Sequence, residues 1–500
     1  MIRGARWNAV VVWVCAGALT TAAAGVRAQE QNAPAGEDGW VNAPELIAPH
    51  IRRFLDGLEA PADPAAARTR AGRRHVVHVA PPATDYDTDR ASILAALEAA
   101  QSGDTVQFAP GTYLIGEMIR VEAPRVTLLG HPGGTTLRGC EAADREERHA
   151  AFTCQGLELT GGHQTVRRLT FEEAHFALVI GCCALGPRTG EESPAMQPGG
   201  YLIENNTFRR SRTGVRVQNG SSEPTVIRDN TFRNVGHAVT INGGTNHVLD
   251  NDVSAPEPSG VPVLGNPTGA IGIMPVPPTR ECGANIIAGN RIEGHPDAIG
   301  ITVAVPGTIC RGNVIRNNTI RVRRVRYREP RFTMGSPADS TIVGIPIAVT
   351  HNVGRPDLPR FPGFEGEAFV GDNVIEGNRI EGAFGLGIEI RGSDGNRIAN
   401  NTIRGIERRE SFPGNTANSA DPLPWQHANG SGIWVSAGSS RNTIVDNEFA
   451  DIAAAAVMLD GDSTVVQLRS SSDEVRDQGR ANQVSRLAGS RLIHRQDSGY

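Results

Sequence analysis

The chain contains no lysine: all 49 basic residues among its 500 are arginine. That absence excludes Schiff-base chemistry and any lysine general base. Aromatic residues are sparse at 5%, whereas glycine is abundant at 58. This balance suits a fold of many tight corners around an aliphatic core. An excess of one charge is also missing, with 54 acidic residues against 49 basic ones and a net charge of −5. There is no long basic block, so nucleic acid is not an expected partner. Beyond the N-terminal apolar run, no segment is apolar enough to cross a bilayer, and no membrane span is expected.

The N-terminus reads as an export signal. Arg3 and Arg6 precede an apolar run from Ala9 to Leu19, and small residues lead to Val26-Arg27-Ala28 before Gln29. Those are the three regions of a secretory signal peptide, expected over 1–28, with an uncleaved anchor as the alternative. The expected location is secreted or periplasmic. Cys15 leaves with the signal, and six cysteines remain: Cys140, Cys154, Cys182, Cys183, Cys282 and Cys310. An even number in an exported chain favours disulfides, although six permit fifteen connectivities. Cys282 with Cys310, 28 residues apart, is a plausible pair. The adjacent Cys182 and Cys183 offer the alternative of a soft-metal site.

What the chain has in quantity is a repeated phrase. "NRIEG" stands at 290–294 and again at 378–382, and related segments place an Asn at 206, 230, 251, 290, 318, 378, 401 and 447. Their spacings are 24, 21, 39, 28, 60, 23 and 46, a unit of 21–24 residues with insertions. Between them falls a second strand, as in "GVRV" (214–217), "AVTI" (238–241), "AIGI" (270–273 and 298–301), "GIPI" (344–347), "GIEI" (387–390) and "GIWV" (432–435). Its period of two marks a half-buried strand. A unit this short cannot bury its apolar face alone, but stacked units share one continuous core. Stacked Asn side chains can then bond one another along the stack, so these Asn are assigned a structural role.

The pattern resembles the right-handed parallel β-helix of the pectin-lyase-like superfamily, over roughly 76–470. The segments 103–121 and 126–139 look like that superfamily's opening coils, preceded by a short capping helix over 89–101 with Thr88 or Asp89 as N-cap. The resemblance implies an all-β solenoid. Residues 29–75, with a helix candidate at 44–58, read as an N-terminal arm, and 471–500 as a mobile polar tail without the repeat.

Insertions in a solenoid collect on a binding face. Here they flank one strand, before it at 254–268, 321–341 and 405–430, and after it at 181–200, 274–284 and 351–372. The outward column of that strand reads Glu158, Val179, Arg216, Thr240, Gly272, Gly300, Pro346, Glu389, Trp434, Met458. The next reads Thr160, Gly181, Gln218, Asn242, Met274, Thr302, Ala348, Arg391, Ser436, Asp460. The middle is small and leaves room for a ligand. Near one end, Glu389, Arg391, His351 and His427 are the candidate catalytic groups, with Trp434, Trp425 and Ser436 as candidate substrate contacts. An indole stacks on a sugar, Arg pairs with a uronate carboxylate, and Glu or His moves protons. The alternatives are a solvated Glu389–Arg391 pair and a Trp434 covered by the 405–430 insertion. A second candidate joins His237 to Asp297, two coils or about 9.6 Å apart, with His295 beside it.

The superfamily includes lyases, polygalacturonases, uronate epimerases and noncatalytic proteins, and its fold does not choose among them. The polygalacturonase set, the epimerase Asp-Pro-His-Asp and the pectate-lyase Trp-Ile-Asp-His are all absent; "HPDA" at 295–298 is the nearest echo of the second. The expectation is an exported carbohydrate-active protein acting on an acidic polysaccharide by β-elimination or hydrolysis. The alternative is a noncatalytic exported β-helix that binds a glycan or a protein. The cofactor is unknown, with calcium a candidate, and no residue set is assigned to a metal.

Overall fold

A computed structural model describes residues 75–140, 154–181, 198–218, 223–255, 269–275, 279–295, 297–322, 325–326, 341–342, 345–351, 366–408, 428–468, 474–486 and 492–494. The signal segment, the 44–58 helix candidate, Cys182, Cys183, Trp425, His427 and most of the insertions lie outside them.

Three parallel sheets run the length of the solenoid. Among the described residues sheet 1 has 14 strands, sheet 2 has 11 and sheet 3 has 13. One coil shows how they arise. Val226–Arg228 lies in sheet 1, Thr231–Arg233 in sheet 2 and His237–Ile241 in sheet 3, and the next coil pairs with each in parallel register. In sheet 3, inward Val215 and Val217 meet Val239 and Ile241, then Ile271 and Ile273. These side chains are fully buried in one apolar core. In sheet 2 the inward column includes Phe171, Phe208 and Phe232, whose rings stack at 5.0 and 4.8 Å.

The eight Asn form one interior line between sheets 1 and 2. Each side-chain amide donates to the next Asn Oδ1, from Asn206 through Asn447, at 2.9–3.1 Å. That oxygen also accepts the preceding Asn backbone N–H, as Asn378 does from Asn318 at 3.0 Å. The 60-residue gap before Asn378 is therefore a single coil step with an insertion. The residue before each Asn takes a left-handed φ, for example 54° at Asp229 and 68° at Gly289. Asn, Asp and Gly tolerate that conformation best, which explains why only they occupy the position.

A second ladder was not anticipated. Asn246, Asn285, Asn313, Asn373, Asn396 and Asn442 link in the same way at 2.9–3.0 Å, between sheets 3 and 1. Its signal was the five-residue offset to the first ladder, as in "NIIAGN" and "NVIEGN".

Three boundaries differ from the sequence reading. The cap helix is Tyr86–Ala99, and Asp85 is its N-cap, accepting from the Thr88 N–H. Asp89 is buried and instead accepts from the Ala83 and Leu114 N–H groups, joining the cap to the first coils. In sheet 3 the strand expected at 344–347 is Ile347–His351, so Ala348, not Pro346, stands between Gly300 and Glu389. Thr350 then takes the place assigned to Ala348 in the next column; its hydroxyl lies 3.1 Å from that of Thr302. The period-two pattern there allows either register, and the pairing with both neighbouring coils selects one. Past 470, strands Val475–Asp477 and Leu492–His494 extend sheet 3, and Gln483–Arg486 extends sheet 1.

Two disulfides tie the chain among the described residues. Cys282–Cys310 bridges neighbouring coils with a Cα separation of 4.6 Å, as expected, and Cys140–Cys154 spans 5.3 Å. No helix among the described residues is long and apolar enough to cross a membrane.

Candidate functional site

The outer face of sheet 3 carries a shallow trough. Its floor runs from Thr240 through Gly272 and Gly300 to Ala348, one residue per coil. A Cβ built on Gly272 or Gly300 would meet no atom within 4 Å. Among the described residues no side chain fills the space above Gly272 and Gly300. Arg216 stands at one end of this column and Glu389 at the other, five coil steps or about 24 Å apart. One rim is formed by Asn242, Met274, Thr302 and Thr350, and Met274 is 43% exposed. Three residues before the floor, His237, Gly269, Asp297 and Ile345 occupy one position in successive coils.

His237 opens the sheet 3 strand His237–Ile241, paired with Thr213 on the preceding coil. Its Nδ1 lies 3.2 Å from the Gly269 carbonyl oxygen. A carbonyl can only accept, so Nδ1 carries the proton and Nε2 is the basic nitrogen. Burial lowers the His237 pKa; the Gly269 contact opposes that effect and the nearby Arg212 charge adds to it. The imidazole is thus held in its neutral, proton-accepting form. Asp297 lies two coil steps away, as expected, and its Oδ1 accepts the Ile345 N–H at 2.8 Å. His295 is 1% exposed, with neither ring nitrogen hydrogen-bonded. Burial first, and then the unfavourable proximity of a second protonated imidazole at His237, push it down to about 3.

Beyond His237 the face becomes cationic. The guanidinium of Arg216 stacks over the Phe176 ring at 5.1 Å. Arg212 lies 3.0 Å from His175 Nε2, which must accept, so His175 is neutral. Desolvation lowers the pKa of both arginines, and repulsion by Arg212 adds to the effect at Arg216. Sequence reading placed Arg216 in the outward column but gave no role to Arg212 or Phe176. The signal was "SRTGVRV", which sets two arginines at one strand, but their convergence with Phe176 depends on the coil before.

At the far end the expected residues meet, in a different state from that anticipated. Glu389 pairs with Trp434 on the next coil. Trp434 is only 1% exposed, packed with Leu386, Ala428 and Met458, and its Nε1 donates to Asp460 Oδ2 at 2.6 Å. It offers no open indole face for a sugar, because apolar neighbours on both sides of it take that surface. Glu389 is 3% exposed, with Oε1 3.4 Å from Arg391 Nε. Burial raises its pKa and Arg391 opposes the shift, so the carboxyl is biased towards its neutral form. The Glu389–Arg391 pair is therefore not the solvated pair of the alternative reading. Ser436 is buried, and its Oγ accepts the Gly392 N–H at 3.2 Å and donates to the Ala437 carbonyl at 3.1 Å. His351 ends its strand half-buried, with its pKa lowered by burial against a raising hydrogen bond at Ala368. Among the described residues, no three His, Cys, Asp or Glu side chains gather as metal ligands do.

Residues 366–479 match the family model described as "Right handed beta helix region". No curated protein matches the chain. Among solved structures, a PL6 alginate lyase in complex with a trisaccharide is 14% identical, with a TM-score of 0.49 over 84% of this chain and 87% of that one. The A-module of an Azotobacter vinelandii mannuronan C-5 epimerase is 14% identical, with a TM-score of 0.30 over 81% and 96%. The catalytic domain of a GH87 α-1,3-glucanase in complex with nigerose is 10% identical, with a TM-score of 0.39 over 86% and 70%. The architecture is the right-handed parallel β-helix that the sequence resemblance implied.

Proposed function

We propose that this protein is an exported carbohydrate-active enzyme that binds an acidic polysaccharide along the sheet 3 trough and cleaves it by β-elimination. The observation that carries this reading is the open Gly272–Gly300 floor beside a neutral, oriented imidazole at His237. Such an elimination needs a base at C5 of a uronate and a cation to withdraw charge from its carboxylate. His237 Nε2 is suited to take the C5 proton. The electron pair left behind forms the C4–C5 double bond as the C4–O bond breaks, and the departing oxygen takes a proton from water. Hydrolysis calls for two carboxyl groups across one bond. Glu389 lies four coil steps, about 19 Å, from His237. The two cannot serve the same bond, and in this reading the partly exposed Arg391 contacts the polymer farther along, with the buried Glu389 beside it. The named neighbours that act on or bind sugars accord with this reading but do not carry it.

The test is an activity screen on pectin, alginate and glycosaminoglycans, with and without calcium, following both unsaturated-uronate absorbance and reducing ends. Elimination yields both signals, and His237→Gln loses both. Reducing ends without absorbance would indicate hydrolysis. Saturable binding without either signal would favour the noncatalytic glycan-binding alternative.

A further inference from the structure

We infer that Arg216, Arg212 and Gln218 form a subsite that captures the carboxylate of a uronate residue at the Phe176 end of the trough. This deepens the proposed function and rests on it. Arg216 is half-buried, and its Nε is out of solvent with no hydrogen-bond partner. Among the described residues its guanidinium contacts an aromatic face but forms no ion pair. The nearest carboxylate in its column, Glu158, is two coils away beyond Val179 and bonds Arg120 at 2.8 Å. Arg212 lies on the same coil and adds repulsion. Two residues on from Arg216, on the same outer face, Gln218 has a buried Oε1 that is also without a donor.

A half-buried cation without a counter-ion is costly, as is a buried acceptor without a donor. A single sugar residue supplies both missing partners. Its carboxylate matches the guanidinium, and a ring hydroxyl can donate to Gln218 Oε1. The planar guanidinium, fixed over Phe176, is pre-oriented for that contact. A neutral sugar supplies only the hydroxyl. The subsite therefore selects acidic polymers over neutral ones.

The probes are defined tetra-uronates, a sulfated tetrasaccharide and a neutral cellotetraose, titrated calorimetrically against the full chain with calcium present and absent. The unmodified protein should bind the tetra-uronate at least tenfold more tightly than cellotetraose. Arg216→Gln should remove that preference, and Arg216→Lys should restore only part of it. Thermal unfolding separates recognition from structure: Arg216→Gln should leave the midpoint unchanged or raise it, because an uncompensated charge is removed. Equal tetra-uronate affinity in Arg216→Gln overturns the subsite, while His237-dependent elimination would still uphold the function. A lowered unfolding midpoint with unchanged preference assigns Arg216 to structure and also overturns the subsite. Preference for the sulfated probe over the tetra-uronate overturns the carboxylate assignment. No binding of any acidic probe overturns subsite and function together.

Discussion

The Asn ladders of the interior and the outer face of sheet 3 treat buried polar groups in opposite ways. Inside, every ladder Asn is matched. Asn318 donates from its amide to Asn378 Oδ1 and the Ile287 carbonyl, each at 2.9 Å, and accepts twice from Asn290 at 3.0 Å. Outside, within a few coils, Arg216 Nε, Gln218 Oε1 and Glu389 Oε1 have no hydrogen-bond partner. A fold that can saturate a line of amides has the means to satisfy polar groups. Arg216 Nε and Gln218 Oε1, adjacent on one outer face, are the pair that a ligand is proposed to satisfy. The outer face of sheet 2 makes the same point: Arg233 meets Asp252 at 2.6 Å and Arg321 meets Glu381 at 3.0 Å. Charges there are cancelled from coil to coil, whereas Arg216 is not.

The comparison can be broken most severely at His237. His237→Gln should reduce kcat/KM on the acidic polysaccharide by about 10²–10⁴, the usual share of a general base, with the unfolding midpoint nearly unchanged. Burial depresses the His237 pKa, so the acid limb of the unmodified enzyme's pH–rate profile should lie below the ordinary imidazole value. A limb at or above that value would remove His237 from the role.

The interior side of the comparison is tested by Asn318→Leu. It removes the acceptor of the Asn290 backbone N–H, at about 1–3 kcal/mol, and one acceptor of the Asn290 side-chain amide, which keeps the Val248 and Ala288 carbonyls. Denaturant unfolding should show the loss, and an unchanged midpoint would deny the ladder its structural weight.

A smaller effect is expected at His295, which the interior leaves unbonded. Its folded pKa of about 3 lies below the unfolded imidazole value, so between those values the unfolded chain binds the proton and the folded chain does not. Stability is then lost as pH falls from about 6.5 towards 3, at up to about 1.4 kcal/mol per pH unit. His295→Asn should flatten the stability–pH curve in that window, and an unaltered slope would contradict the burial argument.

The smallest effect belongs to Glu389→Gln. The folded pKa of Glu389 is raised, so its contribution is fully present at low pH and is lost as pH rises through the folded value. The amide should be neutral or stabilising at pH 7, by up to about 1 kcal/mol. A clear loss of stability would mean that the ionised Glu389–Arg391 pair holds the coil.

Legibility followed the range of the physics. The eight-Asn line, the inward apolar alternation and the Cys282–Cys310 pair were readable because each is a local pattern repeated at a near-constant period. The second Asn ladder is equally local, at a constant five-residue offset from the first. Glu389, Arg391 and Trp434 were correctly gathered onto adjacent coils by register alone. Exposure was not readable: Trp434 is covered by Leu386, Ala428 and Met458, and two of these lie 48 and 24 residues from it in the chain.

From its sequence alone, this chain determines a stack of short coils with Asn, Ile and Gly in set places, because backbone turn chemistry and period-two burial act over a few residues. It also determines that no lysine takes part in any chemistry. Tertiary structure alone decides that Asn318 and Asn378 are neighbours, that Ala348 rather than Pro346 lies on the trough floor, and that Arg216 stacks on Phe176 without a counter-ion among the described residues. Those outcomes depend on register between coils separated by insertions. They also depend on which charges meet across that register, a sum over residues distant in the chain that no single repeat encodes.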